Sequence, residues 1–308
     1  MKYIIVGYGN IGKKRKNAIK DSCVATVDPI NKDADYKDYK NVDLNSFDAA
    51  VLTTPPSAKN EMLKYFLEKK KHVLAEKPLN FKDKNELDKI STLSKKNNVI
   101  WYTAYNHRFE PNLIKLIDIF HNGGIGKFFF GKITYGFGTA QLNINTWRDK
   151  DLGVIDEVGS HLINMVPYIF NKSVDPKKFK LVDAEKHEVK HSYDNCYFAH
   201  PDYHLIFHCS WNTWKNVFEL ELFGSKGSLH MHGLCKWGGS KLYHRKRVFP
   251  SGVPKEEVYE SKGSDESWKK DFELFEKMID ENITSYENDL FMLNAFDTIK
   301  RQLKGRTE

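Results

Sequence analysis

Tyr3-Ile4-Ile5-Val6-Gly7-Tyr8-Gly9-Asn10-Ile11-Gly12 is the stretch that decides the fold of this 308-residue chain. A short apolar run is followed at once by Gly-x-Gly-x-x-Gly and then by a helix-period segment, the order of strand, glycine turn and helix that gives the motif its meaning. The first glycine permits the tight turn, the second lets a pyrophosphate approach the backbone, and the third lets helix and strand pack closely. Unpaired N–H groups and the dipole at the helix start favour negatively charged phosphates. Asp28 lies twenty-one residues after Gly7, at the end of the second apolar run. A carboxylate there accepts hydrogen bonds from ribose hydroxyls and repels a 2′-phosphate. The cofactor read from these residues is NAD, with NADP disfavoured, and the expected contacts are Gly7, Tyr8, Gly9, Asn10, Ile11, Gly12 and Asp28.

Working outward, apolar runs over 3–6, 24–27, 49–53, 73–75 and 100–103 alternate with helix-period segments. That is the pattern of a parallel α/β sheet covered on both faces, an N-terminal Rossmann domain. A helix is expected over 58–70, with Ser57 as its N-cap and Met62, Tyr65, Phe66 and Lys69 along an apolar stripe. Thr53-Thr54-Pro55-Pro56 closes the third strand at the carboxyl edge of the sheet, where ligands bind, so Thr53, Thr54 and Pro55 join the cofactor set. Beyond residue 120 the texture changes. Runs over 128–133, 203–210 and 218–223 are rich in β-branched and aromatic residues. Helices are expected over 159–170, 267–281 and 289–303. The expectation is an α+β C-terminal domain with a large, mainly antiparallel open sheet. The boundaries are then 1–120 for the dinucleotide domain and 121–308 for a substrate-binding and oligomerisation domain.

Composition narrows the function classes. Hydrophobic residues make up 40% of the chain, enough for two real cores, and the net charge is +7. Lysines and arginines are spread along the chain without a nucleic-acid motif, which argues against that partner. Lys13-Lys14-Arg15-Lys16 is either a solvated helix face or a local source of positive potential for a phosphate-bearing ligand. No apolar run approaches the ~20 residues needed to span a bilayer, and Met1 leads straight into a strand without a signal-peptide pattern. A cytoplasmic location without a membrane partner is the expectation. Cys23, Cys196, Cys209 and Cys235 are scattered with no Cys-x-x-Cys pair, so reduced, mostly buried thiols are expected and no metal site.

His72-Val73-Leu74-Ala75-Glu76-Lys77-Pro78 places a charged pair and a proline at the carboxyl end of the fourth strand. Further along stand Tyr105-Asn106-His107-Arg108-Phe109-Glu110-Pro111, Trp147-Arg148, Asp156-Glu157-Val158-Gly159-Ser160-His161 and Phe223-Gly224-Ser225-Lys226-Gly227-Ser228. With the glycine turn and Thr54-Pro55-Pro56, these motifs resemble, over nearly the whole chain, the glucose-fructose oxidoreductase, inositol dehydrogenase and MocA family (Gfo/Idh/MocA). Glu76-Lys77-Pro78 is the most specific of them. The resemblance implies an oxidoreductase acting on a secondary hydroxyl or keto group of a sugar, cyclitol or nucleotide sugar, in polysaccharide biosynthesis or sugar catabolism. It implies an open sheet that covers the nicotinamide and joins a homo-oligomer, dimer or tetramer. It also implies that Glu76, Lys77 and Pro78 touch the cofactor, that Lys77 contacts the reacting oxygen and that His161 transfers the proton. Glu157 stands where the family usually has aspartate, Lys59 where it often has histidine, and Asn164 where a second aspartate commonly follows.

The chemistry asks for the same residue types. Removing the hydroxyl proton as hydride leaves the carbinol carbon requires a base, and histidine has an ordinary pKa of about 6.5. A lysine ammonium stabilises the oxygen as charge develops. Glu157 and His161 are four residues apart on a helix, within mutual reach, so the carboxylate either orients the imidazole or binds a second hydroxyl. Trp147 is either a platform for a sugar ring or a core residue. Arg148 and Asn106 complete the candidate substrate contacts, Asn106 and Arg108 also fitting structural or cofactor-supporting roles. Two other readings keep the cofactor: a lyase or glycosidase that oxidises its substrate transiently, and a non-catalytic sensor.

Overall fold

The computed structural model describes residues 1–171, 173–263 and 265–305. In chain order the first elements are β1 (Tyr3–Val6), α1 (Asn10–Ile19), β2 (Cys23–Val27), β3 (Ala49–Leu52), α2 (Pro56–Glu68), β4 (His72–Glu76), α3 (Lys84–Asn97) and β5 (Trp101–Ala104). Next come α4 (Pro111–His121), β6 (Phe128–Gly138), α5 (Ala140–Asn143), α6 (Ser160–Phe170), β7 (Lys180–Glu185), β8 (Asn195–His200) and β9 (Leu205–Ser210). The chain continues through β10 (Asn212–Gly224), β11 (Gly227–His232), β12 (Ser240–Lys246), β13 (Lys255–Ser261), α7 (Ser267–Asp280) and α8 (Tyr286–Lys304). They form two compact units, Met1–Asn106 with Ser267–Leu293, and His107–Glu266 with Asn294–Glu308. The break therefore falls at Asn106 rather than after residue 120, and the chain returns to the first unit for α7 and the start of α8. Packing explains the return. The apolar stripe of α7, Phe272, Phe275 and Met278, lies against Tyr3, Ile5, Val51, Leu74 and Tyr102 on one face of the first sheet.

That sheet is parallel, in the order β2-β1-β3-β4-β5. β1, β3 and β5 are buried at every position, because helices cover both faces and leave no side for polar alternation. Leu63, Phe66 and Leu67 of α2 and Leu87 and Ile90 of α3 fill the face opposite α7. The chain moves outward in one direction from β1 to β2 and in the other from β3 to β5. The carboxyl ends of β1 and β3 therefore flank the topological switch where such sheets form a crevice. α2 starts at Pro56 with Pro55 as its cap, and Ser57 supplies no capping bond; proline suits the first helical position because its missing N–H would be unsatisfied there anyway. Its buried stripe is Lys59, Leu63, Phe66 and Leu67, while Lys69 is exposed beyond the helix end.

Arg15 departs from the solvated reading of the basic run, whose Lys13 and Lys14 are exposed. It is wholly buried, its Nε and Nη2 donating to Glu76 Oε1 at 2.7 and 2.5 Å and Nη2 to Asp271 Oδ2 at 2.8 Å. Its guanidinium also lies 4.7 Å from the centre of the Trp268 ring. Asp271 receives the Tyr102 hydroxyl as well. One cation thus joins α1, the end of β4 and α7.

The second unit is an eight-stranded sheet in the order β13-β12-β11-β10-β6-β9-β8-β7, antiparallel throughout except for the β6–β9 pair. Its inner face carries Ile133, Tyr135, Phe207, Phe218, Leu220 and Leu229, all buried. Its outer face exposes Phe130, Val182, Ile206 and Val258. Strand alternation with one solvated face lets β6 and β10 extend through polar residues, well past the apolar runs that mark them in the sequence. A single π-helical turn, Ile155–Gly159, leads into α6. All four cysteines are free thiols, three of them buried. Among the described residues no helix is long and apolar enough to cross a membrane.

Arg15→Met strands two carboxylates, one of them completely buried, so a loss of about 3–5 kcal/mol is expected in urea unfolding of the whole chain. Asn17→Ala on the exposed side of α1 is expected to stay within about 0.5 kcal/mol of the parent. Equal stabilities for the two variants would contradict the Arg15 assignment.

Candidate active site

In the first unit the glycine turn departs from β1 at the switch point. Gly7 has φ +98°, and a Cβ there would lie 2.9 Å from the Thr53 carbonyl carbon. A Cβ on Gly12 would stand 2.1 Å from the Gly7 oxygen, so α1 rests directly on the turn. Gly9 differs from both: it caps α1 without any side-chain bond, and a Cβ there would meet nothing within 4 Å. The start of α1 thus has no side-chain cap and open space where a Gly9 side chain would lie, and an uncapped helix start favours an anion.

Asp28 borders this opening. Its Oδ2 accepts from Tyr8 N at 2.8 Å, and its Oδ1 from Ile30 N at 2.9 Å and Asn31 N at 2.8 Å. Burial opposes its charge, but the N–H groups of Asn31, Ile30 and Tyr8 and the Lys37 charge outweigh it and hold the carboxyl below the usual range. Two carboxylate oxygens offer about four acceptor sites, so three N–H bonds leave capacity for a hydroxyl donor. On the neighbouring strand, Thr53 Oγ1 donates to Gly7 O, and Thr54 Oγ1 lies 3.6 Å from Met62 Sδ.

At the end of β4, Glu76 turns its carboxylate to Arg15. Lys59 reaches the same place from the first turn of α2, wholly buried, with Nζ 2.6 Å from Glu76 O, 3.4 Å from Lys77 O and 3.0 Å from Pro78 O. Lys77 itself is half-buried, and its peptide bond to Pro78 is cis. Asn106 is buried and donates to Ser267 Oγ at 2.9 Å, a tie to the start of α7.

In the second unit His161 sits in the first turn of α6, buried, its ring stacked on His107 at 3.8 Å between centroids. His107 Nε2 is 3.0 Å from the Tyr135 hydroxyl, and Lys236 Nζ is 2.6 Å from that hydroxyl and 3.3 Å from His107 Nε2. An ammonium has only donors, so the facing imidazole nitrogen is the acceptor and His107 carries its proton on Nδ1. Burial first, then the charges of Glu157 and Asp265, push the Tyr135 phenol far up, which keeps it protonated.

Glu157 receives Arg148 Nε at 2.7 Å on one oxygen and Trp211 Nε1 at 2.8 Å on the other. Arg148 in turn covers the Trp147 ring at 4.2 Å. Trp147 is 38% exposed, so it is a surface ring and not a core residue. Tyr135, Lys236 and Trp211 are thus members of these clusters that motif spacing did not single out, and His107 lies in a quoted motif without an assigned role. Inward alternation on β6 marks Tyr135 as core only, and no local signal connects it to a lysine 101 residues later.

Residues 1–105 match the family model described as an oxidoreductase family with an NAD-binding Rossmann fold, Gfo/Idh/MocA. The likeness to that family's model lies in the NAD-binding domain. It is 26% identical over 210 residues to the uncharacterised oxidoreductase YrbE of Bacillus subtilis, covering 63% of this chain and 58% of that protein. It is 27% identical over 143 residues to a myo-inositol 2-dehydrogenase of Thermotoga maritima, covering 41% and 42% of the two chains. The matches thus span about half the length of these relatives. A solved levoglucosan dehydrogenase, in complex with NADH and levoglucosan, shares the fold with a TM-score of 0.80 at 15% identity, over 99% of this chain and 97% of that one.

The glycines of the turn separate by role. Gly12→Ala is expected to lose about 1–3 kcal/mol in urea unfolding through overpacking, whereas Gly9→Ala stays within about 0.5 kcal/mol. Equal losses at the two positions would contradict the open space at Gly9.

Proposed function

We propose that this chain is an NAD(H)-dependent dehydrogenase or reductase acting on a secondary hydroxyl or keto group of a sugar, cyclitol or nucleotide sugar. The observation that carries the reading is the uncapped start of α1 at Gly9, opening beside a carboxylate at the end of β2. A diphosphate needs backbone N–H groups with nothing in front of them, and an adenosine ribose needs an acceptor such as Asp28. The residues present fit that group. The carboxylate at 28 disfavours a 2′-phosphate, which supports NAD over NADP, and the NADH complex of the levoglucosan dehydrogenase is in line with it.

When bound, the nicotinamide supplies the partner that accepts or returns the hydride of the carbinol carbon. The chain's own residues handle the rest. His161 takes the hydroxyl proton on oxidation and returns it on reduction. Stacking on a His107 ring that Lys236 holds as an acceptor leaves His161 beside a neutral neighbour, so its protonated form meets no second imidazolium. Lys77 donates to the substrate oxygen and supports it as negative charge grows. Arg148 and Trp211 hold Glu157 oriented for a second substrate hydroxyl, and Trp147 offers an exposed ring to a sugar face. Outer-face residues Phe130, Val182, Ile206 and Val258 support self-association through the eight-stranded sheet, and the substrate class fits a role in sugar metabolism.

A panel of cyclitols, free sugars and nucleotide sugars, read by NADH absorbance at 340 nm, tests the assignment. NADH should accumulate with at least one member of the panel. With that substrate, Lys77→Ala and His161→Asn should each lower kcat by roughly 10²–10⁴-fold, with the Kd for NADH little changed. Full rates in both variants would remove them from the reaction. Asp28→Ala should narrow the discrimination between NAD and NADP; an unchanged ratio would contradict its ribose role.

A further inference from the structure

We infer that Lys59 is a positioning residue for Lys77: its buried ammonium ties the main-chain carbonyls of Glu76, Lys77 and Pro78 into one fixed turn, from which the Lys77 side chain projects. The inference rests on Lys77 serving the reaction proposed above.

The geometry is specific to a lysine. Lys59 lies on the buried stripe of α2, where helical periodicity calls for an apolar residue, and its four-carbon stem fills that place while Nζ reaches the end of β4. An ammonium carries three donors, and three carbonyl oxygens stand at 2.6, 3.0 and 3.4 Å to receive them. A neutral amine has only two N–H bonds and turns a lone pair toward the third carbonyl, so deprotonation removes one tie and sets two lone pairs against each other. The protonation state of Lys59 is thereby coupled to the conformation of residues 76–78.

The charged groups around it explain why that state is poised to change. Burial opposes the ammonium most strongly and Lys77 repels it, while the Glu76 carboxylate attracts it; together they bring Lys59 down to about 7. Glu76 is shared with Arg15, so its attraction is only part of what a dedicated partner would give. From α3, Glu86 is occupied by Asn60 Nδ2 and by the Lys82 N–H. Below the Lys59 pKa the turn is held by three ties. As pH rises through it, the ties loosen and the positive charge beside Lys77 disappears.

Reductive ¹³C-methylation of the whole 308-residue chain without cofactor, read by NMR, tests this away from turnover. The dimethyl-Lys77 signal is identified by its loss in Lys77→Arg. In the parent chain that signal is expected to show an inflection near pH 7, in addition to the lysine's own titration. In Lys59→Met the inflection vanishes and the Lys77 pKa rises, because a neighbouring cation is gone. Lys59→Gln, which keeps two N–H donors without charge, also loses the inflection but retains more activity than Lys59→Met. With a substrate in hand, Lys59→Met should lower kcat by about 10–100-fold, the scale of a small misplacement of a reacting group, with the Kd for NADH unchanged.

A Lys77 signal in the parent with no inflection between pH 6 and 9 overturns the inference without recourse to any variant. So does a folded Lys59→Met with parental kcat and an unaltered Lys77 titration. If Lys77→Ala retains full activity while the inflection is present, the proposed role of Lys77 fails and the coupling between the two lysines stands.

Discussion

The first unit depends on a single buried cation. Arg15 takes two carboxylates, the partly buried Glu76 at the end of β4 and the wholly buried Asp271 on α7. Breaking such a site is far more costly than making it is favourable, because whichever partner remains is a charge without solvent. The consequence is positional. Glu76 immediately precedes Lys77, so the strand end that bears the candidate catalytic lysine is held by its neighbour's side chain from one direction and by Lys59, through main-chain carbonyls, from another. A lysine on so restrained a turn loses less freedom when it meets an oxygen, which is how pre-organisation raises a rate.

The second unit applies the same physics to aromatic rings. His161 and His107 stack, and Lys236 and Tyr135 close the far side of His107 with hydrogen bonds. Each polar atom in that cluster constrains the next: the ammonium makes His107 Nε2 an acceptor, and burial keeps the phenol protonated. A base that must change its charge in each turnover benefits from neighbours that do not change theirs. Glu157, whose charge bears on Tyr135, is itself held by Arg148 on one oxygen and Trp211 on the other.

Much of this was legible in the sequence, for identifiable reasons. The β1 run, the glycines and Asp28 are close in the chain, and their spacing is dictated by a turn whose geometry tolerates little else. Runs rich in β-branched and aromatic residues likewise announced a second domain with a large, mainly antiparallel sheet. Arg15 was not legible, since a basic run reads as solvated unless its partner is known, and Asp271 lies 256 residues away. The same holds for Lys59, a charge on an apolar stripe, and for Trp211, 54 residues beyond the carboxylate it binds. The return of α7 to the first unit was hidden because an amphipathic helix states that it needs a partner face but not which one.

Hydride transfer to a nicotinamide is the claim from which the residue roles follow, and isotope tracing reads it most directly. The protein, NAD⁺ and sugars or cyclitols deuterated at their secondary carbinol carbons are incubated together, and the nicotinamide product is examined by NMR and mass spectrometry. Deuterium at C4 of the reduced nicotinamide, on one face of the ring only, is the predicted result. Retention of all the deuterium in the sugar across the panel, with NAD⁺ demonstrably bound, would contradict it.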